Sequence, residues 1–181
     1  MNSNYFTRLA NRDGSMVKKE DIPTKTKKGM VSVPERLKAF DKDERFAVLA
    51  TDDNGRPYAS LISYAVTTDL SKVIFATPKK TQKYRNILQA RDVALLIDNR
   101  SKVGKKGIME AEAITVVGIA RPLKRGKIWE KMASIFLNKH PGLEEFVRAE
   151  TTALIVVEAT RCIHVGQFQT VSVWDCNVTE A

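Results

Sequence analysis

From Thr77 the chain reads Thr-Pro-Lys-Lys-Thr-Gln-Lys-Tyr-Arg-Asn, with three lysines (Lys79, Lys80, Lys83) among two threonines. A strand-like run, Val73 to Thr77, ends here, and apolar spacing predicts a helix from Thr81 to Ala90 with Tyr84, Ile87 and Leu88 on one face. Thr81 stands where that helix takes its N-cap. A helix start offers backbone N–H groups without intrahelical partners and the positive end of the helix dipole. The Thr81 hydroxyl and amides on one side and Lys83 on the other would therefore make a phosphate pocket. The same lysines would equally suit a solvated basic helix start.

Other chemistries find less support. Two histidines, His140 and His164, are too few for a His-rich metal site, and no metal is expected. Cys162 and Cys176 lie fourteen apart without metal-ligand spacing and are too few for a disulfide scaffold. Cys162 beside Arg161 could be an activated thiol, but burial in a strand is the expected outcome. No G-x-S-x-G elbow, Walker A loop or Rossmann glycine fingerprint occurs, and the catalytic residues stay unassigned. Thirty Lys and Arg against twenty-one Asp and Glu give a net charge of +9, which favours anionic partners. The lysines from Lys18 to Lys28 and from Lys102 to Lys106 are mixed with acids and lack interleaved aromatics, so nucleic acid is not the expected partner. No apolar run approaches the roughly 20 residues of a membrane span, and a cytoplasmic, reducing location is expected.

The elements that must position these residues are legible in outline. Residues 1–31 are polar and basic and read as an N-terminal arm, mobile or docked on a partner subunit. The folded domain should occupy residues 32–181, starting at Ser32-Val33-Pro34-Glu35, a capping-box spacing before a short helix with Leu37 and Phe40 on one face, ending near Asp41. Phe46–Thr51 and Pro57–Val66 read as strands joined by the turn Asp52-Asp53-Asn54-Gly55. Val93–Asp98 and Ala111–Leu123 follow as strands, and Gly118 marks a bulge or a close backbone approach. Trp129, Met132, Ala133, Phe136 and Leu137 describe an amphipathic helix ending near His140-Pro141-Gly142; Ala153–Val157 and Ile163–Val173 close the chain as strands. The order β-β-β-α-β-β-α-β-β, with hairpin turns and few long helices, predicts a mainly β fold, an antiparallel barrel with peripheral helices.

The run from Phe46 through VIFAT to Asp98, together with the HPGLEEF segment from His140 to Phe146 and the strands after it, resembles the FMN-binding split-barrel family of pyridoxamine 5'-phosphate oxidase-like proteins. The resemblance implies a six-stranded antiparallel split β-barrel and a homodimer with two FMN sites at the subunit interface. It places the phosphate on Thr81, Gln82 and Lys83, with Ala76 and Thr77 of the preceding strand end lining the site. The isoalloxazine ring lies along Ser60, Leu61, Ile62 and Ser63. The implied activity is flavin-dependent oxidation or reduction of a small molecule by hydride transfer. The C-terminal Arg-Leu-x-Pro-type motif of true pyridoxamine-phosphate oxidases is missing, and Ala113 stands where the family has a Gln, so vitamin B6 oxidation is not the expected activity. Some relatives bind haem or a deazaflavin instead. A haem-binding or haem-degrading relative would need His164 or His140 as ligand, and Gly166-Gln167-Phe168 echoes such proteins; a non-catalytic flavin- or nucleic-acid-binding module is a third reading. Packing is the default for both His164 and Trp174, although Trp174 could also cap a flavin edge or a dimer interface.

Overall fold

The computed structural model describes residues 32–100, 111–166 and 170–176. The N-terminal arm, the lysines from Lys102 to Lys106, and Gln167 and Phe168 of the haem-like echo lie outside the described residues.

Helix α1 (Val33–Asp43) begins with the expected capping box. The Glu35 amide donates to Ser32 Oγ, and the Ser32 amide donates to the Glu35 carboxylate at 2.9 Å. It buries Val33, Leu37 and Phe40. Strands β1 (Phe46–Asp53) and β2 (Arg56–Ser63) form a hairpin closed by Asp53 opposite Arg56. Its two turn residues, Asn54 and Gly55, have φ of 54° and 82°, the left-handed values that a two-residue hairpin turn requires. The Gly55 amide donates to Asp52 Oδ1, fixing the turn.

The stretch Pro57–Val66, expected as one strand, breaks at Tyr64. β2 pairs with β1, whereas β3 (Ala65–Val66) pairs with β4 (Lys72–Pro78). The break is held by the fully buried Tyr64, whose hydroxyl donates to the Phe40 carbonyl at 3.1 Å. Helix α2 (Gln82–Gln89), strands β5 (Asp92–Asp98) and β6 (Ala113–Pro122), and helix α3 (Lys127–Lys139) follow. A 3-10 turn (Pro141–Leu143) and the short helix α4 (Glu144–Arg148) lead to β7 (Thr152–Gly166) and β8 (Thr170–Asp175).

All strand pairs are antiparallel, in the order β2-β1-β5-β6-β7-β4-β3, with β8 added to β7. The fold is the mainly β split barrel the sequence implies; among the described residues its sheet has eight strands rather than six, because of the Tyr64 break and the separate β8. The two C-terminal strand segments begin in one long strand, β7, which crosses from the β4 side to the β8 side. At its middle the β6–β7 register slips between Val117 and Gly118, and Thr160 caps the irregularity by donating to the Val117 carbonyl at 3.1 Å. This bulge reverses which residues face inward, from Ala159 before it to Cys162 after it. Gly118 sits where backbones close in: a Cβ there would stand 2.3 Å from the Glu158 carbonyl oxygen.

One core fills the barrel, with Leu49, Phe75, Ile87, Leu95, Ile114 and Ile155 among its members. A second lies under α3, where Trp129, Met132, Ala133 and Phe136 cover Ile74, Leu154 and Val156 on the outer face of β4 and β7. Covered on both faces, the first half of β7 is buried without alternation. Trp129 is in this core as expected, with the Arg125 guanidinium stacked 3.8 Å over its ring.

Candidate functional site

α2 carries the candidate phosphate segment, and its packing sets the site. Of the face expected to be buried, Ile87 is buried and Tyr84 half-buried, but Leu88 is exposed at 54%. Asn86 takes the inward position instead. Its side-chain amide donates to Thr51 Oγ1 at 3.0 Å and its carbonyl accepts from Gln82 Nε2 at 2.8 Å, so a buried polar side chain pins the helix to β1 with both its nitrogen and its oxygen hydrogen-bonded. Gln82 Nε2 also reaches Asp53 Oδ1 at 3.1 Å, and Arg85 donates to Gln82 Oε1. Gln82 is thus a structural brace between α2 and the hairpin turn.

Thr81 holds the N-cap position without capping. Its hydroxyl donates to the Pro78 carbonyl at 2.9 Å and lies 3.0 Å from the Thr77 hydroxyl, and it makes no side-chain cap bond to the first turn of α2. The first-turn amides accordingly keep their donor capacity. Thr77 is buried at 1% exposure, so its hydroxyl acts by orienting Thr81. Lys79 and Lys80 are exposed.

Lys83 does something the sequence did not disclose. Its Nζ donates to the Leu61 carbonyl at 3.1 Å, bridging from the start of α2 to β2. Partial burial lowers its ammonium from the ordinary lysine value, because the charged form loses hydration there. β2 is the end strand of the sheet path among the described residues. In antiparallel pairing the hydrogen-bonded pairs alternate. Counting from the closing pair Asp53–Arg56, Ala59, Leu61 and Ser63 fall on non-bonded pairs and turn their N–H and C=O groups to the open edge. The Lys83 bond to the Leu61 oxygen agrees with that count.

The side chains of the candidate β2 residues divide between two faces. Ile62 is buried in the barrel core at 5% exposure, leaving only its main chain for a ligand, and Leu61 is exposed at 63%. The Ser60 hydroxyl is shielded from solvent and has no hydrogen-bond partner among the described residues. Ala76 and Ser63 are half-buried. The structure therefore forms two separate bonded pairs at the start of α2, Thr77 with Thr81 and Lys83 with Leu61; Gln82 bonds instead to Asn86 and Asp53.

The sequence pattern was also silent on a second surface feature. One row of outward side chains crosses six strands in register: Leu61, Val48, Leu96, Thr115, Ile163 and Val173. Five of the six are apolar, and Phe46 and Val165 extend the apolar face at 55% and 41% exposure. The signal available was that Phe46, Val48 and Ala50 alternate with Ala47 and Leu49, so β1 is apolar on both faces.

The two histidines are packed. His140 Nε2 lies 2.8 Å from the Tyr64 carbonyl, with its ring tilted on Phe136. His164 is 4% exposed, its Nε2 stands 3.4 Å from the Glu112 carboxylate, and Arg36 holds that carboxylate at 3.0 Å. Burial lowers both imidazoles from their ordinary value. Cys162 is buried as expected, and Trp174 is half-buried against the barrel core.

The sequence profile of the pyridoxamine 5'-phosphate oxidase family matches residues 33–166. The chain belongs to this family. Among solved structures, a heme binding protein from Mycobacterium smegmatis superposes with a TM-score of 0.71 at 16% identity, covering 81% of this chain and 59% of that one. Campylobacter jejuni ChuZ gives 0.70 at 15% identity over 82% of this chain and 61% of the other. A putative pyridoxamine 5'-phosphate oxidase from Listeria innocua gives 0.55 at 14% identity over 72% and 96%. The chain thus spans about three-fifths of the length of the first two. At these identities the likeness is one of fold. No curated protein matches the chain, and among the described residues no helix is long and apolar enough to cross a membrane.

Proposed function

We propose that this member of the pyridoxamine 5'-phosphate oxidase family is an FMN-binding flavoprotein, a homodimer that oxidises or reduces a small molecule. The observation that carries the reading is the Lys83–Leu61 bond, which sets a half-buried cation and an uncapped helix start beside the open edge of β2. A phosphate dianion suits the first-turn amides of α2, the Thr81 hydroxyl and Lys83. A planar ring bearing alternating acceptors and an N–H suits the main-chain edge at Ala59, Leu61 and Ser63. The unpartnered Ser60 hydroxyl is a further group that a ligand would satisfy, since leaving it unpaired costs stability. When bound, the flavin supplies hydride transfer at N5; the protein's residues bind its phosphate, orient its ring and exclude water.

The homodimer is supported by the apolar row from Leu61 to Val173, because a contiguous face of this kind on a soluble chain is normally covered. A second copy would cover Leu61 and the neighbouring β2 edge together, placing the ring at the interface. The domain taking part is the barrel, residues 32–181, with residues 1–31 as an arm. Titrating the protein into FMN and following quenching of flavin fluorescence tests the reading: saturation at one FMN per protomer supports it, and unquenched flavin at micromolar protein contradicts it.

Haem is a second reading because of the M. smegmatis structural neighbour. Against it, His140 is held on the Tyr64 carbonyl and His164 is buried beside the Glu112 carboxylate; in its favour, neither ring nitrogen of His164 has a hydrogen-bond partner among the described residues. A Soret band that His164→Ala abolishes would favour it.

A further inference from the structure

We propose that Cys162 and Cys176 are a redox-active dithiol that a peroxide converts to an intrachain disulfide, clasping the end of β8 onto β7. Their sulfurs lie 3.6 Å apart, and both thiols are free. The register explains the approach. Cys162 stands opposite Trp174, and the Cys176 amide donates to the Thr160 carbonyl at 3.0 Å, so the cysteines are diagonal neighbours on one face of the β7–β8 ribbon. The bulge at Thr160 lies beside them, and bulges increase local twist. A bond length of about 2.05 Å is reached by a modest approach of the two sulfurs, and Cys176 sits in the turn just past β8.

The two thiols are unequal. Cys162 is fully buried and Cys176 half-buried. The shared S–H···S contact and burial both raise Cys162, whereas accepting that contact lowers Cys176. Cys176 is therefore the thiol that meets the oxidant. Its thiolate attacks one peroxide oxygen, the O–O bond breaks, hydroxide leaves and a sulfenic acid forms. The Cys162 sulfur then attacks the sulfenic sulfur, expelling the hydroxyl as water. In sum two thiols and one hydrogen peroxide give one disulfide and two waters; two electrons pass from sulfur to peroxide. The face that carries these sulfurs is opposite the one carrying Val171 and Val173, so the bond forms within a chain and leaves the apolar row untouched.

The test treats the reduced full chain with hydrogen peroxide and reads denatured thiol counts, intact mass and peptide maps. The expected result is joint loss of both thiols, a mass lower by about 2 Da as two hydrogens leave, a peptide linking Cys162 to Cys176, and reversal by dithiothreitol. In folded Cys162→Ser, dimedone should trap a sulfenic acid at Cys176; in Cys176→Ser, the buried Cys162 should resist oxidation. Thiols that stay titratable, sulfinic acids accumulating without a disulfide, or a bond between two chains would each overturn the proposal. The wild-type map decides the matter even if a variant does not fold.

Discussion

Replacing Lys83 by alanine should separate FMN from riboflavin. The Lys83 ammonium is half-buried and stands at 3.1 Å from the Leu61 oxygen, so it is partly dehydrated and aimed. Such a charge-assisted contact to a phosphate is worth about 1.5–3 kcal/mol. At about 1.4 kcal/mol per decade, that is roughly a 10- to 150-fold rise in the Kd for FMN. Riboflavin carries the same ring without the phosphate, and its Kd should change less than about threefold. The main-chain oxygen that Lys83 now occupies lies on the exposed edge, where water replaces the lost donor, so the fold should not suffer. Fluorescence-quenching titrations of both ligands against wild type, Lys83→Ala and Lys79→Ala measure the effect; Lys79 is exposed and serves as the general-charge control. Equal losses for FMN and riboflavin, or an equal loss in Lys79→Ala, would refute the reasoning.

Leu96→Glu, placed in the middle of the apolar row, should push the proposed dimer toward monomer. Burying a leucine is worth about 1.5–3 kcal/mol, and a buried carboxylate adds a further penalty, so the dimer Kd should rise by at least roughly 100-fold in sedimentation velocity. Unchanged association would show that another surface pairs the subunits. Gly118→Ala forces a Cβ against the Glu158 carbonyl and Val157 Cγ1; overpacking of this kind costs about 1–3 kcal/mol, a Tm drop of roughly 3–10 °C for a chain of this size. A Tm within a degree of wild type would mean the β6–β7 approach is looser than described. Acidification from pH 7 to 5 should lower the urea midpoint. Burial depresses His140 and His164 in the folded state, so the unfolded chain binds more protons once the pH falls below about 6.5 and stability is lost in that direction. The carboxylates with lowered values, Glu35 and Asp69, lose their contribution only at more acidic pH. His164→Gln should flatten the pH 7-to-5 slope; an unaltered slope would assign it elsewhere.

Much of the fold was legible because its local signals are strong and mutually consistent. The Ser32–Glu35 capping box, the Asn54-Gly55 turn and the 3-4 spacing of Trp129, Met132, Ala133 and Phe136 each dictate a local conformation that the barrel accepts. Gly118 announced a close approach, and the bulge is there. What failed to show were the features decided by distant partners. Tyr64 has strong β preference, yet its bond to Phe40 ends β2. Leu88 has the right spacing for a buried face, but the Thr51–Asn86 bond turns the helix so that an asparagine faces inward. At the candidate site, Thr81 and Lys83 were readable from type and position. That the Thr81 hydroxyl turns back to Pro78, leaving the helix uncapped, and that Lys83 reaches β2, depend on where the barrel brings α2. The cysteines, fourteen apart in sequence, meet only because β7 and β8 pair in one particular register.

The most direct test of the central claim is the visible spectrum of the protein after it has been mixed with FMN and passed through a desalting column. Retained bands near ~370 and ~450 nm, eluting with a dimer at one flavin per protomer, are the predicted result. A colourless protein, or one that instead retains a Soret band near ~400 nm after the same treatment with haem, would contradict it.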